Sequence, residues 1–159
     1  MTTAPHPTEV PILGFHGPYR FLSNFWSVDV VSDGFTYPTV EHAYQAAKTL
    51  DGLERARIRQ AATPGEAKEL GRQVALRGDW EQIRDDVMLG LLRHKFRDQD
   101  LLPQLLGTLG RDLVEVNDWG DTYWGAVRRA DGAIVGQNRL GVLLRQVRAE
   151  LLREVVARL

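Results

Sequence analysis

Glu41 and Lys48 are the two residues of this chain whose types and spacing most directly invite chemistry. They sit in Tyr37-Pro38-Thr39-Val40-Glu41-His42-Ala43-Tyr44-Gln45-Ala46-Ala47-Lys48. Read as a helix, the segment has a small apolar face of Val40, Ala43, Ala47 and Leu50, and beside it a polar stripe of Glu41, Tyr44, Gln45 and Lys48. At about 100° per residue, Glu41 and Lys48 differ by only about 20° around the axis and lie roughly 10 Å apart. That is too far for a local ion pair and suits two groups gripping opposite ends of one small substrate. A carboxylate and an amine on one wall are what acid–base or Schiff-base chemistry at a sugar carbon needs. A solvated helix face would use the same residue types, and the segment alone leaves both readings open.

Asn117-Asp118-Trp119-Gly120-Asp121-Thr122-Tyr123-Trp124-Gly125 is the second candidate stretch. Asn, Asp and Gly favour turns, so it reads as a loop following a strand, where sites are commonly carried. Trp119 and Trp124 either stack on a flat heterocycle or cover the core. Asp121 supplies a second acid or base, holds a ribose hydroxyl, or makes a turn. Gly136-Gln137-Asn138-Arg139-Leu140-Gly141 then opens the last helix, where exposed N–H groups and Arg139 suit a phosphate. Asn24 and Asn138 are candidates for polar contacts, and Trp80 for base stacking.

His42 points about 100° away from Glu41 and reads as structural. His6, His16 and His94 have no ligand spacing, no Cys is present, and no serine-nucleophile signature occurs, so neither a metal nor a cofactor is expected. The basic residues are 17 Arg and only Lys48, Lys68 and Lys95. Each lysine draws interest, because Lys can lose its proton when desolvated and Arg cannot. A net charge of -1 gives no global pull toward nucleic acid or an anionic membrane. No apolar run reaches the length of a membrane span, and residues 1–11 lack a signal-peptide pattern, which points to a soluble cytoplasmic protein.

The elements that must position these residues are mostly helical. Residues 1–10 read as a loose tail and 11–159 as one domain. Pro11–Phe15 suggests a strand. Ser27–Val31 and Phe35–Tyr37 suggest a hairpin about Asp33-Gly34. Thr39 caps the first helix, which is expected to end near Asp51-Gly52, and Leu53–Ala62 forms a second. Thr63, Pro64 and Glu66 make a capping box for a third. A fourth helix runs from Asp79-Trp80 to about Phe96, and a short one covers Asp100–Leu106. Leu113–Val116 reads as a buried strand and Asn138–Leu159 as a long amphipathic helix. The expected class is α+β, mainly α, with a few short strands.

Taken together, Phe21-Leu22-Ser23-Asn24-Phe25, the Tyr37–Lys48 segment, the Asn117–Gly125 loop and Gly136–Gly141 resemble the NADAR family of YbiA-like N-glycosidases, over roughly residues 14 to 152. The resemblance implies hydrolysis of N-glycosidic bonds. One branch of the family acts on phosphorylated ribosylamino-pyrimidine intermediates of riboflavin synthesis; another removes ADP-ribose from guanine in nucleic acid. It places the family's catalytic Glu on Glu41, its helix Lys on Lys48, its acidic loop position on Asp121, and its tryptophans on Trp80 and Trp124. Phe25, Tyr44, Asn117, Trp119, Gly125, Asn138 and Arg139 complete the expected substrate contacts. The expected substrate is a small phosphorylated N-riboside. ADP-ribosylated DNA or RNA and a non-catalytic ADP-ribose or nucleotide-binding module are the alternatives. The oligomeric state stays open.

Overall fold

The structure, a computed structural model, describes residues 10–159, so the expected tail falls almost wholly outside the described residues. The described chain is α+β and mainly helical, as expected, and divides into two compact units: Asn24–Arg97, and the chain up to Ser23 together with Asp98–Leu159.

Within Asn24–Arg97, strands β2 (Val30–Ser32) and β3 (Phe35–Tyr37) form the expected antiparallel hairpin, pairing Val30 with Tyr37. Asp33 and Gly34 turn it with φ of 50° and 79°. Helices α1 (Val40–Ala47), α2 (Gly52–Arg59), α3 (Pro64–Gly71) and α4 (Trp80–Lys95) follow. The other three helices pack around α1, and every one of its eight residues is buried.

Local chemistry sets the starts of these helices. Thr39 Oγ1 accepts from His42 N, Asp51 Oδ1 from Leu53 N and Glu54 N, and Thr63 Oγ1 from Glu66 N. Glu66 returns its carboxylate to Ala62 N, one residue before the position a capping box addresses. The first helix is shorter than expected. Lys48 closes it, its N–H reaching back to Gln45 and Ala46 carbonyls, and Leu50 is left 70% exposed instead of joining the apolar stripe. The reason is local: Asp51 caps α2 three residues on, so the chain must turn between the helices. Asp79 precedes α4 without a side-chain cap. It pairs with Arg77 at 2.6 Å.

His42 is structural, as its direction implied. Its Nε2 meets the Ala61 carbonyl at 3.0 Å and its Nδ1 meets Thr39 Oγ1 at 2.7 Å. A carbonyl only accepts, so Nε2 carries the proton and Nδ1 receives the threonine hydroxyl. Burial lowers the pKa of this ring and keeps it neutral.

Lys95, at the end of α4, is fully buried, with Nζ 5.1 Å from the Phe96 ring centroid. Desolvation lowers its pKa from 10.5 to about 7. Between those values the unfolded chain binds a proton that the folded chain does not, so stability rises with pH across that window. The slope from one such group is at most about 1.4 kcal/mol per pH unit. Urea unfolding at pH 7 and pH 9 is expected to show this rise in the wild type and a flatter response in Lys95→Met. Equal slopes in both would place the titration elsewhere.

In the other unit, β1 (Ile12–Leu13) pairs in parallel with β4 (Leu113–Val114), and a 3₁₀ helix covers Gly17–Leu22. Helix α5 (Leu101–Leu106) and the long α6 (Arg139–Ala157) supply the helical layer. Leu105, Leu140, Leu144 and Val147 are completely buried. Arg148 ties α6 down, its Nη1 donating to the Thr108 carbonyl, Thr108 Oγ1 and the Arg111 carbonyl at 2.7–3.0 Å.

The strand expected at Leu113–Val116 is two strands in two sheets. After β4 the chain breaks at Glu115, and β5 (Val116–Asn117) pairs in parallel with β6 (Ala126–Arg128), which pairs antiparallel with β7 (Ile134–Val135). The break is bridged by Asn138, whose Oδ1 accepts from Glu115 N and whose Nδ2 donates to the Leu113 carbonyl. No helix among the described residues is long and apolar enough to cross a membrane.

Candidate active site

Helix α1 brings Glu41, Tyr44, Gln45 and Lys48 onto one stripe, and that stripe is inside the protein. Glu41 is only 7% exposed and Gln45 3%. The solvated-face reading is therefore excluded. A buried carboxylate must be held by hydrogen bonds or charges, and Glu41 Oε1 accepts from Gln45 Nε2 at 2.8 Å. The pairing was written in the sequence as an i, i+4 spacing, although Gln45 was not among the expected site residues. The backbone of Glu41 is fixed as well, its N–H donating to the Asn24 carbonyl at 3.1 Å.

Lys48 is half-buried at the C-terminal end of the same stripe. Its Nζ lies 5.6 Å from the Tyr44 ring centroid, and no carboxylate lies within ion-pair distance among the described residues. Desolvation is the main cause of a lowered pKa; Glu41 opposes it, while Lys68 and Arg72 add to it. An amine so placed is a better nucleophile at neutral pH than an exposed lysine.

Trp80, at the first position of α4, packs its ring on Tyr44 at 5.2 Å, tilted by 56°. At 4% exposure it offers no open face for a base, so its expected stacking role gives way to holding Tyr44 in place. Asn24 is buried, its Nδ2 meeting Met88 Sδ at 3.6 Å, and its Oδ1 is a buried oxygen with no hydrogen-bond partner. An orphan acceptor of this kind suits a ligand that presents a donor. Phe25 next to it is 43% exposed and available for contact. Asn24, Phe25, Glu41, Tyr44, Lys48 and Trp80 thus share one unit, along with Gln45.

The remaining expected residues lie in the other unit, and most of them build their own loop. Asn117 donates from Nδ2 to the Asp121, Ala126 and Glu115 carbonyls and accepts at Oδ1 from Asp121 N. Its N–H groups and one lone pair of Oδ1 are engaged within the loop. Asn138 is likewise engaged in bridging β4 and β5. A Cβ on Gly125 would overlap the Glu115 carbonyl and approach Asn117 Nδ2, so this glycine is required by packing and not by a ligand. The N–H groups of Gln137, Asn138, Arg139 and Leu140 go to the carbonyls of Thr122, Gly125, Tyr123 and Trp124. The open helix terminus expected for a phosphate is therefore closed by the chain itself. Composition could not show this, since it depends on where residues 122–125 return.

Asp121 Oδ1 accepts from Tyr123 N and Trp124 N at 3.0 and 2.9 Å, holding the turn that presents both rings. Tyr123 and Trp124 meet edge to face at 5.0 Å. Trp119 stands 59% exposed, and Trp124 and Arg139 are half-buried. Asp121→Asn keeps the accepting oxygen, so steady-state turnover is expected to change less than about threefold, roughly 0.7 kcal/mol of barrier. A loss of 100-fold would put a catalytic carboxylate there. No group of three or more His, Asp or Glu among the described residues is set to hold a metal.

The NADAR domain family model matches residues 14–152. The chain is 38% identical over 152 residues to N-glycosidase YbiA of Escherichia coli, covering 92% of each. It is 34% identical over 173 residues to the chloroplastic riboflavin biosynthesis protein PYRR of Zea mays, covering 95% of this chain and 27% of that one. The solved NMR structure of E. coli YbiA superposes with a TM-score of 0.79 at 37% identity, over 93% of this chain and 88% of that one. With the NADAR domain model matching residues 14–152 and 38% identity to YbiA over 92% of each chain, the chain belongs to the NADAR family.

Proposed function

We propose that this chain is an N-glycoside hydrolase, and that its substrate is a small phosphorylated ribosylamino-pyrimidine. The observation that carries the reading is the single buried stripe of α1, which presents a hydrogen-bonded carboxylate and a desolvated amine on one wall. The name of YbiA supports the reaction class, and the name of the maize relative supports a riboflavin-pathway intermediate.

Cleavage of an N-glycosidic bond develops positive charge at the anomeric carbon and negative charge on the leaving nitrogen. In this reading Glu41 gives a proton to the leaving nitrogen or the ring oxygen, then takes one from water. Lys48, as the neutral amine, adds to the anomeric carbon of the ring-opened sugar, and the base leaves as its amine with the proton given by Glu41. Water then hydrolyses the resulting lysine imine to return Lys48 and the sugar aldehyde. Net, the C–N bond breaks, the hydroxyl of water goes to carbon and its hydrogen to nitrogen. Asn24 Oδ1 accepts from a substrate donor, Phe25 gives contact area, and Tyr44 lines the wall beneath Lys48. Asp121 is assigned to its own turn.

Removal of ADP-ribose from guanine in DNA or RNA uses the same chemistry on a larger anion. Arg128, Arg129 and Arg139 would favour it; Arg128 donates to the Gly132 carbonyl, and Arg129 pairs with Asp131 at 2.7 Å. Nucleic-acid affinity draws on clustered Lys and Arg, and a net charge of -1 gives no such excess, so the small molecule is the better reading. A turnover assay with both substrates tests it: release of pyrimidine supports this reading, and release of guanine-bearing product alone replaces it with the second.

A further inference from the structure

Gln45 has no part in the chemistry above, yet it is the hydrogen-bonding neighbour of Glu41. Its Nε2 donates to Glu41 Oε1 at 2.8 Å, and both side chains are buried. Only the nitrogen can face an ionised carboxylate, which accepts and does not donate. That orientation commits Oε1 to the opposite side, where it is a buried oxygen with no donor. An unpaired buried acceptor is costly, so something must hold the amide in this pose.

The end of α3 does so. Gly71 packs against the amide, and a Cβ there would overlap Gln45 Oε1, lie 2.7 Å from Cδ and 2.9 Å from Cβ. Its backbone is ordinary helix. Glycine is therefore required at this position for space and not for conformation.

We propose that Gln45 is a positioning residue that holds the Glu41 carboxylate in one orientation, and that Gly71 is the seat that fixes the Gln45 amide. The inference deepens the reading of Glu41 as the acid–base group and rests on it. Lys48 on the same helix interacts electrostatically with Glu41, and Lys68 and Arg72 from α3 act on Lys48. From α2, Arg55 and Arg59 turn toward Tyr37, and Arg55 also pairs with Asp33. In α4, Arg84 pairs with Glu81, and Lys95 is buried. All of these persist in the variants, so a difference between proteins reports the amide.

The test is an NMR titration of glutamate side-chain carbons in the wild type, Gln45→Met and Gly71→Ala, with Glu41→Gln to identify the signal. It requires no substrate. Losing a charge-assisted hydrogen bond to the ionised form is expected to move the Glu41 midpoint up by about one pH unit. Gly71→Ala, whose added methyl presses on the Gln45 side chain, should give a shift of the same sign and remains informative if Gln45→Met folds poorly. A merely structural role would lower the melting temperature and leave the midpoint in place, and an unmoved midpoint in the folded variants would overturn the proposal. Where the wild type turns over substrate, kcat should fall about tenfold with KM unchanged. A wild type that turns over nothing would count against the hydrolase reading alone, because the titration stands without turnover.

Discussion

Glu41→Gln is expected to slow release of the free base by about 10²–10⁴-fold, or roughly 2.7–5.4 kcal/mol of barrier. The substitution preserves size and leaves the helix packed, so the melting temperature should change little compared with the rate. The loss follows from protonation chemistry: an amide cannot give a proton to the leaving nitrogen and then take one from water. Binding of product should survive, because Asn24, Phe25 and Tyr44 stay in place. Single-turnover kinetics with mass-spectrometric detection separates the two. A rate within a few-fold of the wild type would remove Glu41 from the chemistry.

Lys48→Arg is expected to abolish imine formation and lower turnover on the order of 10³-fold, about 4 kcal/mol. Arginine keeps the positive charge and cannot become a neutral nucleophile. Borohydride added during turnover should reduce the imine to a stable adduct on Lys48 in the wild type and give none in the variant. The pH dependence has a definite sign. Desolvation lowers the Lys48 pKa below its ordinary 10.5 against the opposing pull of Glu41, so trapping should rise with pH as the ammonium loses its proton, with its midpoint below 10.5. Full activity in Lys48→Arg, with no adduct in either protein, would make Lys48 a cationic contact to the phosphate.

The part of this site that was legible in the sequence is the part written at helical spacing. Glu41, Tyr44, Gln45 and Lys48 share a stripe because 3.6 residues make a turn, and the capping chemistry of Thr39 and Thr63 set two helix starts correctly. Burial of the stripe was not legible, because it depends on α2, α3 and α4 closing around α1. The asparagines misled for the same reason. Asn117 and Asn138 have the residue types of ligand contacts, but carbonyls distant in the chain claim their amides: Leu113, 25 residues away, for Asn138, and Ala126, nine residues away, for Asn117. Gly71 carried no local signal at all, since its backbone is helical and only its contact with Gln45 demands a hydrogen in place of a methyl. The end of α1 was misplaced because Leu50 continued the apolar period, whereas Asp51 had already begun to cap the next helix.

The most direct measurement is turnover by wild type and Glu41→Gln on a panel holding phosphorylated ribosylamino-pyrimidines and an ADP-ribosyl-guanine oligonucleotide, followed by mass spectrometry. Free pyrimidine with ribose phosphate from the wild type, and none from Glu41→Gln, is the predicted result. Tight binding by the folded wild type over hours, with no base released from any member of the panel, would contradict it and make the chain a binding module.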